Sequence, residues 1–426
     1  MELYLALLKD LFNLTMITIQ LLIIFVTLYY FTLGFTAFKR KPEKKDYPPV
    51  KRFAVVVAAH NEEKVISPLI NNLKNLDYPK ELFDIYVVAD NCTDKTAYLA
   101  KKSGAIVFTR YHKTKRGKGY ALEFLFAKIF ELNKPYDAFV IFDADNLVKR
   151  NFLLEMNNKL CEGHKIIQGY IGSKNPYDTW VTNTFSIAFW IMNRMIQLPR
   201  YNLNLSNTLA GTGMCISYDV LKQLGWGAHS LTEDLEFTMK ALLQGIKTSW
   251  AHDAIVYDEK PLTFMQSCRQ RKRWAQGQVD VALKYLIPLV IKAVKEKKWM
   301  YMDAAMHLFQ PFFTVLGSIF LILQAFSFLQ PYYLNIFVTY VPTFVWQIVS
   351  GGVTIFPALA LYLDRIPWRA YLGLIVYPIF MYSWIPIIFL GMLHHKRKEW
   401  SHTQHTRSIE LKELVKEEKT MYKAAK

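Results

Sequence analysis

An α/β domain built on a parallel sheet and carried between membrane-spanning helices is the architecture this sequence predicts. Three observations carry that expectation. Hydrophobic residues make up 52% of the 426 and gather into uncharged runs, Leu11 to Phe38, Ala304 to Leu363 and Tyr371 to Leu393. Each is long enough for a bilayer core of about 30 Å, which takes about 20 helical residues, and the second is long enough to cross twice. Between Arg40 and Tyr301, strand-length apolar segments alternate with helical ones. Finally, acidic and amide residues cluster just after those strands, where parallel α/β sheets bind their ligands.

The first run reads as a transmembrane helix over residues 1–38. Its uncharged stretch is too long for the core of a signal peptide, and no small-residue cleavage site precedes the basic cluster. Glu2, Lys9 and Asp10 lie on one flank, and Lys39, Arg40, Lys41, Lys44 and Lys45 on the other. Positive charge collects on the cytosolic side, so the N-terminus is expected outside and the following domain in the cytosol. The expected location is the plasma membrane, with several crossings.

The soluble domain is expected over residues 50–260. Phe53 to Ala59, Asp84 to Ala89, Ala105 to Phe108 and Ala138 to Phe142 read as strands, each followed by a turn or helix. Short strands apolar on both faces imply a parallel sheet covered by helices on both sides. Residues 261–303 read as amphipathic segments on the membrane surface, 304–393 as a membrane region, and 394–426 as a cytosolic tail. The net charge of +17 does not indicate a nucleic-acid partner, because much of it flanks the apolar runs instead of forming a basic face. Cys92, Cys161, Cys215 and Cys268 are too scattered for a zinc site or a disulfide framework.

Several motifs carry chemistry. Strand ends supply Asn61 and Glu62, then Asp90, then Asp143-Ala144-Asp145. Singly these are turn or capping residues. Together they aim carboxylates into one crevice, where a divalent cation holds carboxylates and neutralises a diphosphate. Lys118 lies in a basic, glycine-containing loop suited either to phosphate or to solvent. In Thr232-Glu233-Asp234, Thr232 suits a helix cap, and a carboxylate at a helix start facing a crevice suits a general base. In Gln270-Arg271-Lys272-Arg273-Trp274, arginine suits phosphate and tryptophan suits the face of a sugar. A basic amphipathic helix on the membrane fits the same residues.

In this order, these motifs resemble the family 2 glycosyltransferases, specifically the membrane-bound branch containing cellulose, chitin and hyaluronan synthases. The resemblance covers roughly residues 50 to 280 and implies a GT-A nucleotide-sugar transferase domain. It implies donor contacts from Asn61, Glu62, Asp90, Lys118, Asp143, Asp145, Gln270 and Arg273. Asp145, with Asp143 beside it, would bind Mg2+ or Mn2+. Asp234 would be the general base, with Thr232 and Glu233 beside it. Trp274 would support the acceptor, with Gly211, Thr212 and Gly213 lining its channel. That stretch reads Ala-Gly-Thr-Gly-Met-Cys, unlike the Phe-Cys-Gly form of cellulose synthases.

The reaction implied is inverting, processive transfer from a UDP-sugar to a growing polysaccharide, coupled to export. UDP-glucose and a β-glucan product are favoured; UDP-N-acetylglucosamine and a chitin-like polymer, or a single transfer to a lipid carrier, are the alternatives. Trp400, Thr403, His405 and Arg407 resemble the gating loop of these synthases. That role needs a cytosolic tail, whereas three crossings after the catalytic domain would put the tail outside. One apolar segment is therefore expected not to cross.

Overall fold

The computed structural model describes residues 2–326, 333–396, 407–414 and 416. A long helix α1 (Glu2–Phe35) leads into β1 (Phe53–Ala59), α2 (Ile66–Lys74), β2 (Phe83–Asp90), α3 (Thr96–Lys102) and β3 (Ile106–Arg110). Then come α4 (Lys118–Glu131), β4 (Ala138–Asp143), β5 (Leu147–Val148), α5 (Phe152–Cys161) and β6 (Ile166–Ser173). Helix α6 (Trp180–Ile191) continues through a π-helical turn into α7 (Leu198–Asn202), followed by β7 (Met214–Ser217), α8 (Tyr218–Leu224), α9 (Glu233–Leu243) and β8 (Thr248–Asp258).

The eight strands form one sheet in the order β3-β2-β1-β4-β7-β6-β8-β5. β3, β2, β1 and β4 are parallel, as expected from their doubly apolar runs. The sheet as a whole is mixed, which corrects the expectation of a parallel one. β7 runs antiparallel to both β4 and β6. It has only four residues and lies inside the glycine-containing stretch, so no strand-length apolar run marks it. Successive residues of β1 face opposite layers. Val55 and Val57 pack with Leu69, Ile70 and Phe152 of α2 and α5, and Ala54 and Val56 pack with Leu122, Leu125 and Phe126 of α4.

After β8, α10 (Phe264–Glu296) runs back along α11 (Trp299–Ala325). A short α12 (Ile336–Thr339) and α13 (Thr343–Leu363) follow, then a 3-10 segment Trp368–Ile375, α14 (Tyr377–Tyr382) and α15 (Trp384–Leu393). Among the described residues, Tyr4–Phe35 and Trp299–Gln324 are long and apolar enough to cross a membrane. The pair Trp368–Ile375 and Tyr377–Leu393, bent by 59°, makes a third candidate if it is one span.

That bent pair lies against the domain from end to end. A Cβ on Gly373 would fall 1.6 Å from Asn183 Oδ1 of α6, and one on Gly391 would fall 2.6 Å from Ala275 Cβ of α10. Between them, Arg271 Nη1 donates to Ser383 Oγ at 2.8 Å and to Phe380 O at 3.3 Å. At the far end Gln276 Nε2 donates to His394 O at 2.8 Å.

Buried ion pairs dock the sheet onto the other helices. Arg200 of α7 grips Asp303 of α11 in two bonds of 2.8 and 3.0 Å, and Tyr29 of α1 donates to the same carboxylate at 2.6 Å. Arg194 meets Asp364, just past α13, at 3.0 Å, and Tyr170 of β6 donates to it at 2.9 Å.

Candidate active site

The first two strand ends brace one another. Asn61 takes a positive φ of 55°, which asparagine tolerates better than most residues. Its Oδ1 accepts from Thr93 N at 2.8 Å. Glu62 is buried, and its N–H donates to Thr96 Oγ1 at 2.8 Å. Asp90 is paired with the buried guanidinium of Arg110, at the end of β3.

The third strand end is tied to the glycine stretch. The N–H of Asp143 donates to Asn146 Oδ1 at 3.0 Å and to Thr212 Oγ1 at 3.2 Å. Lys118 lies in the site, not in a solvated loop. Its ammonium pairs with Asp143, donates to Gly211 O at 2.6 Å and sits 4.0 Å from Glu233 Oε1. Gly119 allows this approach, since a Cβ there would meet Ala228 O at 2.3 Å. Asp145 is buried, and its Oδ2 accepts from Glu259 N at 3.3 Å. Lys174, also buried, donates to Asp145 O at 3.0 Å and pairs with Glu259 at 3.3 Å. Gly213, at φ 63°, is structural: a Cβ there would collide with Val256 at 2.7 Å.

The other wall is the start of α9 against α10. Thr232 makes no side-chain cap to α9; its Oγ1 is buried without a partner among the described residues. Gly277 of α10 presses on it, so that a Cβ would fall 2.6 Å from Thr232 Oγ1 and 2.7 Å from Thr232 N. Asp234 Oδ2 lies 3.7 Å from the position a Cβ of Gly211 would take. Arg273 feels the charges of Glu233, Asp143 and Asp234. Its buried Nε and the buried Oε1 of Gln270 have no partner among the described residues. Two polar atoms kept dry and unpaired are costly unless a ligand meets them. Trp274 is met edge-on by Phe185 at 5.7 Å and Phe189 at 6.1 Å. Arg271 turns away, its guanidinium lying 4.3 Å over Phe380.

Burial pushes the Glu233 carboxyl up to about 7; Lys118 opposes that rise and Asp234 adds to it. Burial likewise raises Asp234, against the pull of helix amides and Lys118. A carboxyl whose folded pKa is raised binds more protons folded than unfolded. Stability therefore falls as pH rises from its ordinary value near 4.5 to about 7. Glu233→Gln is expected to melt higher than wild type at pH 8 and to lose that advantage below pH 5, as read by thermal unfolding in detergent; equal melting at both values refutes it.

Asp143, Lys118, Gly211, Thr212, Glu233, Asp234 and Arg273 thus come together, with Asn61 and Asp90 at neighbouring strand ends. Trp400, Thr403 and His405 lie outside the described residues. Arg407 is described: its N–H donates to Glu259 Oε1 at 3.2 Å and its guanidinium pairs with Asp178. Sequence reasoning missed Arg110, Lys174 and Glu259, although each lies at or just past a strand end. Glu43, Glu155 and Asp253 form another carboxylate group, but Lys45, Arg40 and Lys159 already neutralise it.

The family model described as glycosyltransferase like family 2 matches residues 48–277, from the linker before β1 to the glycine pressed on Thr232. The chain belongs to this family. Among curated members, a probable glycosyltransferase, YdaM, of Bacillus subtilis is 29% identical over 267 residues, 61% of this chain and 62% of the relative. A beta-monoglucosyldiacylglycerol synthase of Nostoc sp. is 29% identical over 240 residues, 54% of this chain and 50% of its own. A poly-beta-1,6-N-acetyl-D-glucosamine synthase of Staphylococcus epidermidis is 23% identical over 271 residues, 62% and 64%. The chain thus spans between half and two-thirds of these glycosyltransferase relatives. In fold it is similar to the mannosyltransferase PcManGT from Pyrobaculum calidifontis, solved with GDP-Man and Mn2+. The TM-score is 0.59 at 17% identity, covering 91% of this chain and 99% of that one.

Proposed function

We propose that this protein is an inverting hexosyltransferase, using a nucleotide-sugar donor and Asp234 as general base. One observation carries the reading. Two cations, Lys118 and Arg273, converge on Asp143, Glu233 and Asp234 beside polar atoms that lack partners among the described residues. Asp234 takes the proton of an acceptor hydroxyl as its oxygen bonds the anomeric carbon. The bond from that carbon to the diphosphate breaks, and the nucleoside diphosphate leaves with its electron pair. Arg273 is near enough to the carboxylates to stabilise charge on the leaving phosphates. Asp143 and Asp145 offer hard oxygen ligands, a donor set that fits Mg2+ or Mn2+. When bound, the ion would neutralise the diphosphate. Asp90, held by Arg110, would meet the nucleoside.

For the acceptor, a growing β-linked polysaccharide lying on Trp274 is favoured, with UDP-glucose as donor. A second reading, one hexose passed to a membrane lipid, is supported by the glycolipid-forming Nostoc relative. It is also supported by Trp180, exposed at 47% and stacked on Phe264 at 5.6 Å, on the helices that frame Trp274. The bent pair is the segment that fails to cross in this proposal. Its two ends meet α6 and α10 and Arg407 reaches Glu259; with α11 and α13 as the two crossings after the sheet domain, the tail stays on the donor side.

Purified enzyme with single radiolabelled nucleotide sugars, Mg2+ or Mn2+ and a lipid extract tests this. The expected product is an insoluble polymer that linkage-specific hydrolases digest, and none should form in excess EDTA. A chloroform-soluble single-hexose lipid would select the second reading. No transfer from any donor would refute both.

A further inference from the structure

The end of α1 carries a feature that sugar transfer does not use. Phe35 and Phe38 leave the helix exposed, their rings stacked at 6.5 Å. With Lys39, Arg40, Lys41 and Asn202 they line a pocket of about 390 Å³. Among the described residues, no acidic one lines it. Arg40 is committed to Asp253 at 2.8 Å. Lys39 and Lys41 are exposed, and their ammonium groups have no partner among the described residues.

A third lysine comes from a different element. Lys247, in the turn before β8, bonds Asn204, two residues from the pocket wall. Burial lowers its pKa, and the nearby charge of Lys41 lowers it further. Like charges held together from separate parts of the chain cost free energy unless an anion sits among them. The usual objection to an anion here is the negative end of α1. Asn202 offsets part of it, since its Nδ2 donates to Thr36 O, just past the helix end, at 2.7 Å, and to Lys39 O at 2.7 Å.

We propose that this pocket binds the phosphate of an anionic phospholipid in the leaflet facing the sheet domain. The position selects a lipid over a soluble anion. Aromatic rings form the wall toward the helix that crosses, and cations form the wall toward the domain, at the depth where headgroups lie. Lysines scattered beside a membrane helix would attract such lipids loosely. A concave wall with Lys247 beside it, brought there by the turn before β8, would hold one. The bound lipid would bridge α1 to the turn before β8 and so fix how the domain sits on the bilayer.

The test is native mass spectrometry of the full chain released from nanodiscs containing equal phosphatidylglycerol and phosphatidylcholine. Wild type should retain phosphatidylglycerol preferentially. Each lysine near such a surface is worth about 5-fold in binding, so Lys39→Gln/Lys41→Gln/Lys247→Gln should lose on the order of 100-fold. The triple Lys→Arg variant should keep the preference, which separates charge from misfolding. The proposal is overturned if the glutamine variant retains phosphatidylglycerol like wild type. It is equally overturned if inorganic phosphate is retained and the lipid is not.

Discussion

Asp234→Asn is expected to abolish sugar transfer while the protein still binds its nucleotide-sugar donor. Asparagine keeps the shape of the side chain at the start of α9 but cannot accept the proton of an acceptor hydroxyl. Loss of a general base costs about 100-fold to 10,000-fold in rate. Donor affinity should change little, because Lys118, Arg273 and Asp143 are untouched. Removing one carboxylate should also lower the neighbouring Glu233, since Asp234 is among the charges that raise it. Turnover and donor affinity measured on the same preparation decide the matter. Near wild-type turnover would remove Asp234 from the mechanism, and lost donor binding would make it a structural residue.

Gly277→Ala is expected to cost about 100-fold in turnover, with a smaller loss of donor affinity because Gln270 and Arg273 stand on the displaced helix. One methyl group there meets Thr232 N and Oγ1 at 2.7 and 2.6 Å, so α9 and α10 must part. Overpacking of this kind costs roughly 1 to 3 kcal/mol, too little to unfold a typical domain. A displacement near 1 Å between reacting groups can cost about 100-fold. Asp234 stands on one of the two helices, and Gln270, Arg273 and Trp274 on the other. The variant should therefore fold, bind donor and fail at transfer. A turnover within a few fold of wild type would show that the contact relaxes without moving Asp234.

The parallel half of the sheet was legible because burial on both faces leaves continuous apolar runs. Phe53 to Ala59 coincides with β1. β7 was not, because four residues between glycines and a helix carry no periodicity. In the site, residues whose place follows from lying at a strand end could be read directly, such as Asp143 and Asp145. Partners from distant parts of the chain could not: Arg110 on Asp90 and Lys174 on Asp145 depend on the tertiary arrangement. Lys118 shows the limit within a single motif. Taken alone its loop favoured solvent, yet in the fold Lys118 meets Asp143 and Gly211, and Gly119 passes too close to Ala228 for a side chain. Arg271 shows the converse, because five consecutive residues around a helix cannot all face one ligand.

The buried pairs Arg200–Asp303 and Arg194–Asp364 bear on whether the sheet domain can be cut out. Both arginines lie within residues 50–260, and both aspartates lie beyond them. An excised fragment would keep two guanidinium groups shaped for burial with nothing to neutralise them. Excision also removes the helices that pack over these side chains, and a whole domain is stable by only about 5 to 15 kcal/mol. Residues 50–260 thus lack both carboxylates that neutralise their buried arginines, and they also lack Gln270, Arg273 and Trp274 of the candidate site. Recombinant work on the catalytic part has to carry α11 and the residues around Asp364, or replace Arg194 and Arg200 by neutral side chains of similar volume.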